Sequence, residues 1–539
     1  MKRYLVAADA DQIQNLLFRS SHLREVIGGS MMLSRFCKEE TNPALAKIIT
    51  DFHGNVIIND GGSFRLTLGS DKEAKDFLEC LADLFREETG GTLTVAGPIE
   101  YNDGEFRSKN ETLQLELLNA KYYRTGAEAE PQLPVSAFCT SCGIGLAAQY
   151  ARPAWELPGE EKTYLCNHCY DKAEDKLLKA HFFYQDYRDA IKKKHAADFN
   201  KFLENPKDPA ELIGSLDATQ YVGYVLADVN GMGRHFNRRE SPEDLTKLSN
   251  DLTAALWASL AAPIPDLIKR LRERKSGERE LIEKLENRMP IVPLILGGDD
   301  VLALVPARYA LDIGSRFGEE FEKHMNGITI GVAVIICQKH YPYTLAYERG
   351  HKLLEQAKKH GKSLGTQKLS AINFEVILGN ELKVSAEDEV GKEKEYHSSL
   401  KPYWIGAKAN AESSESSHAG IHFERILHHR LALKNIPQKR LHELRRFFDP
   451  RRLNELHKDK EREEWNKGFE DFLHRIKPES WASALESAIK ELGPWRNIKR
   501  WPKKDFDPAT GLLDLIEAWD YAYKLDKPDK DYQPKESRA

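Results

Sequence analysis

Apolar and polar positions alternate along the first 375 residues in a pattern that predicts strands and helices in turn. In "YLVAADADQIQNLLF" (residues 4–18), an apolar run ends in Ala-Asp and is followed by a polar turn and a helix start. The segment "YVLADVNGMGRHF" (residues 224–236) has the same pattern. Each segment predicts a buried strand that ends in an aspartate, which is Asp9 in the first case and Asp228 in the second.

A hairpin with two adjacent glycines follows each of these segments. The two sequences are "IINDGGSFRLTL" (residues 57–68) and "LILGGDDVLAL" (residues 294–304). The second carries Asp299 and Asp300, whereas the first has Ser63 and Phe64 in their place. Each hairpin precedes a β-branched run, at residues 91–97 and 327–336. The order strand, helix, hairpin, helix, strand therefore occurs twice and predicts two ferredoxin-like βαββαβ domains.

The length of 539 residues is too great for one hydrophobic core, so we expect several domains. The predicted fold class is α+β. A first, degenerate βαββαβ domain is expected over residues 1–110, and a helical insert with a zinc knuckle over residues 111–210. The second βαββαβ domain is expected over residues 211–375, and a linker with a C-terminal helical domain over residues 376–539.

The second βαββαβ domain is expected to carry chemistry. Its first strand and its hairpin should lie side by side, so that Asp228, Asp299 and Asp300 meet at one edge of the sheet. Crowded carboxylates are costly unless a cation neutralises them, and hard oxygen ligands suit two Mg²⁺ or Mn²⁺ ions. Two such ions can activate a ribose hydroxyl and stabilise a leaving pyrophosphate, which indicates nucleotidyl transfer. The alternative is a solvated β-turn, in which glycine and aspartate are common.

Further residues of this domain are predicted to bind a nucleotide. Gly297 and Gly298 would let a triphosphate approach without a Cβ in the way. The "NGMG" segment opens the helix after Asp228, so its backbone amides can bind an anion. Lysines near the end of the helix at residues 353–363 could reach phosphates, although a solvated helix end fits them equally well. These candidates are Asn230, Gly231 and Gly233 in the "NGMG" segment, and Lys358 and Lys362 on the helix.

Four cysteines form two pairs with the spacing of a metal site, Cys139 with Cys142 in "CTSC" and Cys166 with Cys169 in "CNHC". Four thiolates complete a tetrahedral Zn²⁺ shell with no open position, so one zinc ion is predicted to have a structural role. Cysteines that bind metal in preference to disulfides suit a reducing compartment, so we expect a cytoplasmic protein.

Net charge and hydropathy narrow the possible partners. The formal net charge is only −5, so any nucleic-acid contact must come from a local patch. No apolar run approaches about 20 residues, so no membrane span is expected. Residues 425–452 hold nine Lys or Arg residues against Glu443 and Asp449. This basic segment predicts a surface that binds RNA or a partner protein, or equally a solvated pair of helices.

Several motifs together resemble the large, polymerase-like subunit of type III CRISPR effector complexes, which carries two Palm domains. They are "LREVIGGSMMLS" (residues 23–34), the GGS hairpin, the two cysteine pairs, "LADVNGMGRHF", "LILGGDDVLALVP" and "AYERGHKLLEQAKKHGKS". The resemblance covers residues 1–375. It implies that the two βαββαβ domains are Palm domains and that only the second one catalyses.

The resemblance implies a ring synthase that joins ATP through 3′–5′ bonds into cyclic oligoadenylates when target RNA is sensed. Asp228, Asp299 and Asp300 would be the ligands of the catalytic metals. The first Palm domain would hold a second ATP as acceptor, at Gly61, Gly62 and Ser63. The implied partners are ATP and, through other effector subunits, a complex of guide RNA and target RNA.

One feature departs from the family, and two other functions compete. Many members begin with an HD nuclease domain, whereas this sequence starts at the first Palm strand and has no His-Asp pair, so no DNase activity is expected. A diguanylate-cyclase-like enzyme is disfavoured because "GGDDV" lacks the expected acid–Phe ending. A non-catalytic scaffold subunit is disfavoured by the intact Asp228, Asp299 and Asp300.

Overall fold

A computed structural model describes most of the chain. The described residues are 3–20, 23–102, 104–123, 136–151, 162–173, 187, 209–216, 219–273, 290–362, 369–379, 399–406, 422–447, 459–492 and 511–527.

The N-terminal half forms a four-stranded antiparallel sheet with the strand order β2-β3-β1-β4. This is the strand order of a ferredoxin-like βαββαβ unit. The elements follow the chain as β1 (Arg3–Ala10), α1 (Ile13–Leu17), α2 (Leu23–Phe36), α3 (Pro43–Asp51), β2 (Asn55–Asp60), β3 (Ser63–Leu68), α4 (Asp71–Thr89) and β4 (Leu93–Tyr101).

Both faces of this sheet are covered, because alternate side chains of a strand point to opposite faces. Val6 and Ala8 of β1 pack with the residues of α4, whereas Leu5 and Ala7 pack on the other face against α5 (Phe106–Tyr122). The domain boundary expected at residue 110 therefore falls inside α5, a helix that belongs to the first sheet.

The cysteine-rich segment contains a short antiparallel hairpin and a helix, and these dock on α2. Its described elements are β5 (Gln149–Ala151), β6 (Thr163–Leu165) and α6 (Asn167–Ala173). The Lys172 ammonium donates to the Leu16 carbonyl at 3.1 Å. Gly28 lies so close to α6 that a Cβ there would be 1.9 Å from the Lys172 carbonyl oxygen. We call residues 136–151 and 162–173 the cysteine module; most of the insert expected at residues 111–210 lies outside the described residues.

The second half forms a six-stranded sheet with the order β12-β11-β10-β7-β9-β8. Strands β8, β9, β7 and β10 repeat the order of the first sheet. The elements are α7 (Pro209–Ser215), β7 (Tyr221–Val229), α8 (Met232–Asn237), α9 (Pro242–Ala261), α10 (Ile264–Arg272), β8 (Val292–Gly297), β9 (Asp300–Pro306), α11 (Ala310–His324), β10 (Ile330–Gln338), α12 (Tyr343–Lys362), β11 (Ser370–Val376) and β12 (Tyr403–Ile405).

Strands β11 and β12 extend the second sheet beyond the four strands that the sequence pattern predicts. β11 runs parallel to β10, and β12 pairs antiparallel with β11. The domain boundary expected at residue 375 lies within β11, so the sheet continues past it to residue 405.

The described residues after β12 form helices that share one hydrophobic core with the second sheet. They are α13 (Glu424–Ala432), α14 (Gln438–Phe447), α15 (Asp459–His474), α16 (Glu479–Glu491) and α17 (Gly511–Glu517). Not all of the basic segment is surface: Arg430 is buried and donates to the Trp519 carbonyl at 2.8 Å. Lys439, Arg445 and Arg446 are exposed, and residues 448–452 lie outside the described part. No helix in the described ranges combines the length and the apolar character needed to cross a membrane.

The two halves of the molecule meet along β2 and α9. The Thr246 hydroxyl donates to the Ile57 carbonyl at 2.9 Å, and the Thr253 hydroxyl donates to the Asp60 carboxylate at 2.8 Å. Leu245 of α9 is buried in the core beneath the first sheet. These contacts hold the first hairpin (residues 57–68) against the second half of the molecule.

Helix α2 contributes to both halves. Val26, Ile27 and Met31 belong to the core of the second sheet, whereas Leu33 and Phe36 belong to the core of the first. One helix therefore buries its side chains in two cores.

The contact between α2 and α6 can be tested at Gly28. Alanine in a helix is ordinarily favoured over glycine by about 1 kcal/mol. At Gly28, however, the added Cβ would force backbone atoms apart, so we expect Gly28→Ala to lower the free energy of unfolding by about 1–3 kcal/mol. The measurement is thermal or urea unfolding.

Gly468→Ala is the matched control. Gly468 also lies within a helix, but a Cβ there would meet its nearest neighbour, Phe447, at an ordinary 3.7 Å. This variant should be as stable as the wild type or more stable. Equal stability of both variants would mean that α2 and α6 do not pack as described.

Candidate active site between the two hairpins

The second hairpin brings three carboxylates to one edge of the sheet. Asp228, near the end of β7, lies directly opposite Asp300, the first residue of β9. Asp299 precedes Asp300 at the hairpin tip, next to Gly298 with its φ of +63°. The antiparallel register therefore places Asp228 and Asp300 side by side at this edge of the sheet, with Asp299 adjacent in sequence.

Burial and mutual repulsion disfavour the ionised forms of two of these carboxylates. Burial raises the pKa of Asp299 to about 6, and the Asp228 charge adds to this effect. Burial likewise raises the pKa of Asp300 to about 7, with further contributions from Asp299 and Asp228. Oxygens of the three groups do not converge within 4.8 Å of one another. The site thus carries negative charge that its own residues only partly neutralise.

Lys358 supplies the partial neutralisation. Its ammonium lies 2.6 Å from Asp228 Oδ1, and both side chains are about three-quarters buried. Gly331 lies opposite Asp228 on β10, and a Cβ at Gly331 would be 2.7 Å from Lys358 Cγ. The glycine therefore leaves room for the lysine stem to cross β10. Lys362 is the last residue of α12, and its side chain lies outside the described part.

Asn230 differs from its predicted role of contacting a nucleotide. Its side chain is 1% exposed and donates to the Thr329 hydroxyl at 3.0 Å, while its backbone N–H donates to the Thr329 carbonyl at 2.8 Å. It therefore ties the end of β7 to the start of β10. Gly231, with a φ of +71°, is the N-cap residue immediately before the six-residue helix α8. A Cβ at Gly233 would meet no atom within 4 Å.

The first hairpin repeats this geometry with different side chains. Asp9 lies opposite Ser63, as Asp228 lies opposite Asp300. Ser63 therefore corresponds to Asp300, and the sequence alignment that placed Ser63 and Phe64 at Asp299 and Asp300 is wrong by one residue. The Ser63 hydroxyl donates to Asp9 Oδ1 at 2.7 Å, and the Lys121 ammonium forms an ion pair with Asp9 Oδ2. A single carboxylate, already paired, takes the place of the cluster.

Gly62 does not face open space, contrary to what a nucleotide-binding glycine requires. A Cβ there would lie 2.8 Å from Ala10 Cβ and 3.2 Å from Ile13 Cδ1, and its φ is +83°. The glycine is needed for the turn and for packing against β1 and α1. A side chain at Gly62 would therefore meet β1 and α1, and Gly62, unlike Gly61 and Ser63, is not among the residues that line the cavity described below.

The two hairpin tips contact each other through their backbones. A Cβ at Gly61 would lie 2.7 Å from the Gly298 nitrogen and 2.9 Å from its Cα. A Cβ at Gly297 would lie 3.7 Å from the Gly61 Cα. Such an approach requires glycine, and Gly61 also adopts a left-handed φ of +59°.

A cavity of about 480 Å³ lies between the hairpins and is lined by residues of both. This volume is in the range of small-molecule sites. Its lining includes Asp9, Gln12, Asn15, Ser30, Ser34, Asp60, Gly61, Ser63, Lys121, Gly297, Gly298, Asp299 and Asp300. Gln12 adopts a left-handed φ of 45°, and its side chain accepts a hydrogen bond from Asn15 at 2.9 Å.

Several polar lining residues were not predicted from the sequence: Asp9, Gln12, Asn15, Ser30, Ser34, Asp60 and Lys121. Asp9 was aligned with Asp228 but given no role. Lys121 lies on α5, which follows β4 as α12 follows β10. Extending the internal repeat by one helix would have aligned Lys121 with Lys358. No comparable signal marks Gln12.

The four predicted cysteines come together in the cysteine module. The sulfurs of Cys139, Cys142, Cys166 and Cys169 all lie within 4.8 Å of one another, with Cys142 and Cys166 at 4.0 Å. Ligands about 2.3 Å from a tetrahedral Zn²⁺ would be about 3.8 Å apart. His168 contacts the Glu87 carbonyl at 3.1 Å and is not part of the cluster. The four sulfurs can therefore hold a metal ion.

A family model described as Cas10/Cmr2, second palm domain, matches residues 221–364. This match confirms the family assignment that the motifs of the second half indicate. A search among curated proteins found no match to this chain.

Solved structures of the Csm1 protein are similar at low identity. The apo Csm1–Csm4 cassette has 16% identity and a TM-score of 0.44, covering 71% of this chain and 55% of that chain. Csm1 from T. onnurineus has 15% identity and a TM-score of 0.44, covering 67% and 52%. The Csm1–Csm4 cassette in complex with cA4 has 16% identity and a TM-score of 0.43, covering 71% and 55%. The chain thus spans about half the length of these solved chains.

The raised pKa values of Asp299 and Asp300 predict a pH-dependent gain in stability when both charges are removed. An acid whose pKa is raised on folding destabilises the fold as the pH rises from about 4 through about 7. With metal chelated, Asp299→Asn/Asp300→Asn should raise the free energy of unfolding by on the order of 1–3 kcal/mol at pH 8, and by little at pH 4.

Unfolding at the two pH values measures this effect. Asp83→Asn, at an exposed position on α4, is the control and should leave stability unchanged at both. A double variant that is less stable than the wild type at pH 8 would contradict the electrostatic account.

Proposed function

We propose that this protein, whose residues 221–364 match the second palm domain of the Cas10/Cmr2 family, is a metal-dependent nucleotidyltransferase. In this proposal it is a subunit of an RNA-guided antiviral complex and converts ATP into cyclic oligoadenylates. The observation that carries the proposal is the cavity between the hairpins, which is lined on one side by Asp299 and Asp300 and on the other by Gly61 and Ser63.

The acidic edge of the second sheet fits Mg²⁺ or Mn²⁺. Asp299 and Asp300 line the cavity, and Asp228 lies opposite Asp300 on the neighbouring strand. All three offer hard carboxylate oxygens, and Asp299 and Asp300 have raised pKa values because their negative charge is buried and crowded. A divalent cation would relieve this repulsion. When bound, two such ions would lower the pKa of a ribose hydroxyl and stabilise the negative charge of the leaving pyrophosphate.

The chain's own residues would position the reactants. Transfer forms a bond between the acceptor O3′ and the donor α-phosphorus and breaks the bond from that phosphorus to the pyrophosphate. Gly297 and Gly298 would let the donor triphosphate approach the hairpin, because no Cβ stands there. Lys358, which pairs with Asp228 in the described structure, would be free to contact a phosphate once a metal ion takes over that carboxylate.

The first hairpin would hold the acceptor ATP. Its strand order and register match those of the second hairpin, which supports the interpretation of both halves as Palm domains. Only one carboxylate, Asp9, stands where the second half has three, so no metal site is proposed there. Gly61 and Ser63 line the cavity, whereas Gly62 and Asn230 are assigned positioning roles in place of nucleotide contacts.

The remaining elements would have supporting roles. We assign one structural Zn²⁺ ion to Cys139, Cys142, Cys166 and Cys169. Partner subunits and RNA would assemble elsewhere, and the exposed Lys439, Arg445 and Arg446 of α14 are one surface with suitable charge.

Synthesis can be tested with each radiolabelled nucleoside triphosphate and Mn²⁺, with and without partner subunits and target RNA. We expect ATP to give cyclic products and Asp299→Ala/Asp300→Ala to give none, because the variant lacks two metal ligands. Full activity of this variant would mean that the catalytic assignment is wrong. Absence of product under every condition would instead favour a scaffold subunit.

Ser63→Ala is the matched control in the first hairpin. It removes one hydrogen bond to Asp9, worth on the order of 1 kcal/mol, and no metal ligand. Synthesis should therefore continue, with at most a modest increase in the ATP concentration required.

Zinc is expected at about one ion per chain, and Cys166→Ser should lose it. Metal binding and folding are coupled in such sites. Because the cysteine module packs on α1 and α2, the loss should lower the melting temperature of the whole protein. Elemental analysis and thermal unfolding measure the two effects. Cys80→Ser, at an exposed cysteine outside the cluster, should retain zinc; a well-folded wild type without zinc would contradict the assignment.

A further inference from the structure

The cavity between the hairpins has an uneven distribution of charge. Four of its lining residues are aspartates, and Lys121 is the sole Lys or Arg among the lining residues described. Asp60 is held by its own surroundings, since it accepts hydrogen bonds from the Thr253 hydroxyl and the Gly61 N–H, both at 2.8 Å. Lys121 is therefore the positive side chain of the described lining that a bound polyphosphate could contact, and it lies beside the first hairpin.

The position of Lys121 repeats that of Lys358. Each lysine lies on the helix that follows the last strand of its βαββαβ unit, α5 after β4 and α12 after β10. Each reaches back to the aspartate near the end of the unit's first strand, Asp9 or Asp228. The same internal ion pair is thus present in both halves.

The two halves differ in the charge that remains after this pairing. In the second half, one lysine faces three aspartates, which leaves a net negative site that a metal ion can fill. In the first half, Lys121 pairs with Asp9, because Ser63 stands where the second half has Asp300. The other aspartate of the first half in the lining, Asp60, accepts hydrogen bonds from Thr253 and the Gly61 N–H. The Lys121 and Asp9 side chains are 29% and 26% exposed, so both remain accessible from the cavity.

We infer that Lys121 is a phosphate-binding residue for the nucleotide held at the first hairpin. This inference rests on the proposed function and adds a residue to it. The ammonium supplies the positive charge that metal ions supply at the second hairpin, so the acceptor nucleotide needs no metal of its own. Asp9 and Ser63 act as positioning residues, because they hold the ammonium at the edge of the cavity.

A purely structural role for Lys121 makes a different prediction. If Lys121 only neutralises Asp9, then removing both charges together should restore the wild-type properties. If Lys121 also binds phosphate, the double variant should regain stability but not nucleotide affinity. Asp9→Asn/Lys121→Met therefore distinguishes the two roles.

The experiment measures binding of a non-hydrolysable ATP analogue with Mg²⁺ to the full chain by calorimetry, together with thermal unfolding. The wild type should bind two nucleotides. Lys121→Met and the double variant should each bind one of them at least about tenfold more weakly, as expected for the loss of a charge-assisted contact. Lys121→Arg should retain both sites. Lys109→Met, on the same helix but outside the cavity, is the control and should bind as the wild type does.

Several outcomes would overturn the inference: a wild type that binds fewer than two nucleotides, Lys121→Met with two unchanged sites, or full affinity in the double variant. Because binding requires no turnover, this test is separate from that of the proposed function. If the wild type binds two nucleotides, Lys121→Met weakens one of these sites and no product is made, the inference is supported and the synthase proposal is contradicted. If the wild type forms product and Lys121→Met binds both nucleotides with unchanged affinity, the inference is contradicted and the synthase proposal is not.

Discussion

The arrangement of the candidate site depends on the backbone contact between the two hairpin tips. Gly61 approaches Gly298 more closely than a residue with a Cβ at position 61 would permit, and both glycines adopt a left-handed φ. This contact sets the distance between the two sheet edges and so determines the size of the cavity. The hydrogen bonds from α9 to Ile57 and Asp60 keep the first hairpin in that position.

Much of this arrangement could be predicted from local sequence pattern. The apolar runs that end in Asp9 and Asp228 predicted the first strands, and the paired glycines predicted the hairpins. Antiparallel pairing then places each aspartate opposite Ser63 or Asp300, because strands in such a unit are joined in only a few ways. The cysteine cluster followed from spacing alone, since two knuckles offer one tetrahedral arrangement.

The parts that could not be predicted depend on contacts between distant residues. β12 is three residues long and pairs with β11 across a long intervening segment, so no local periodicity marks it. Helix α5 exposes Leu115 and Leu118 as well as burying Leu113 and Leu117, which obscures its amphipathic pattern and hid Lys121. The basic segment was judged by its charge, yet Arg430 in it packs over the rings of Trp519 and Tyr523. Composition shows how many charges a segment has, but not which of them a neighbouring helix covers.

Helix α2 has a mechanical consequence for the molecule. Because its N-terminal half is embedded in one core and its C-terminal half in the other, neither half of the molecule can rotate without bending or dragging this helix. Ser30, Leu33 and Ser34 of the same helix form part of the cavity wall. α2 therefore connects both hydrophobic cores to the wall of the cavity. The cysteine module packs against Gly28 of this same helix, so α2 is the direct structural connection between the cysteine cluster and the space between the hairpins.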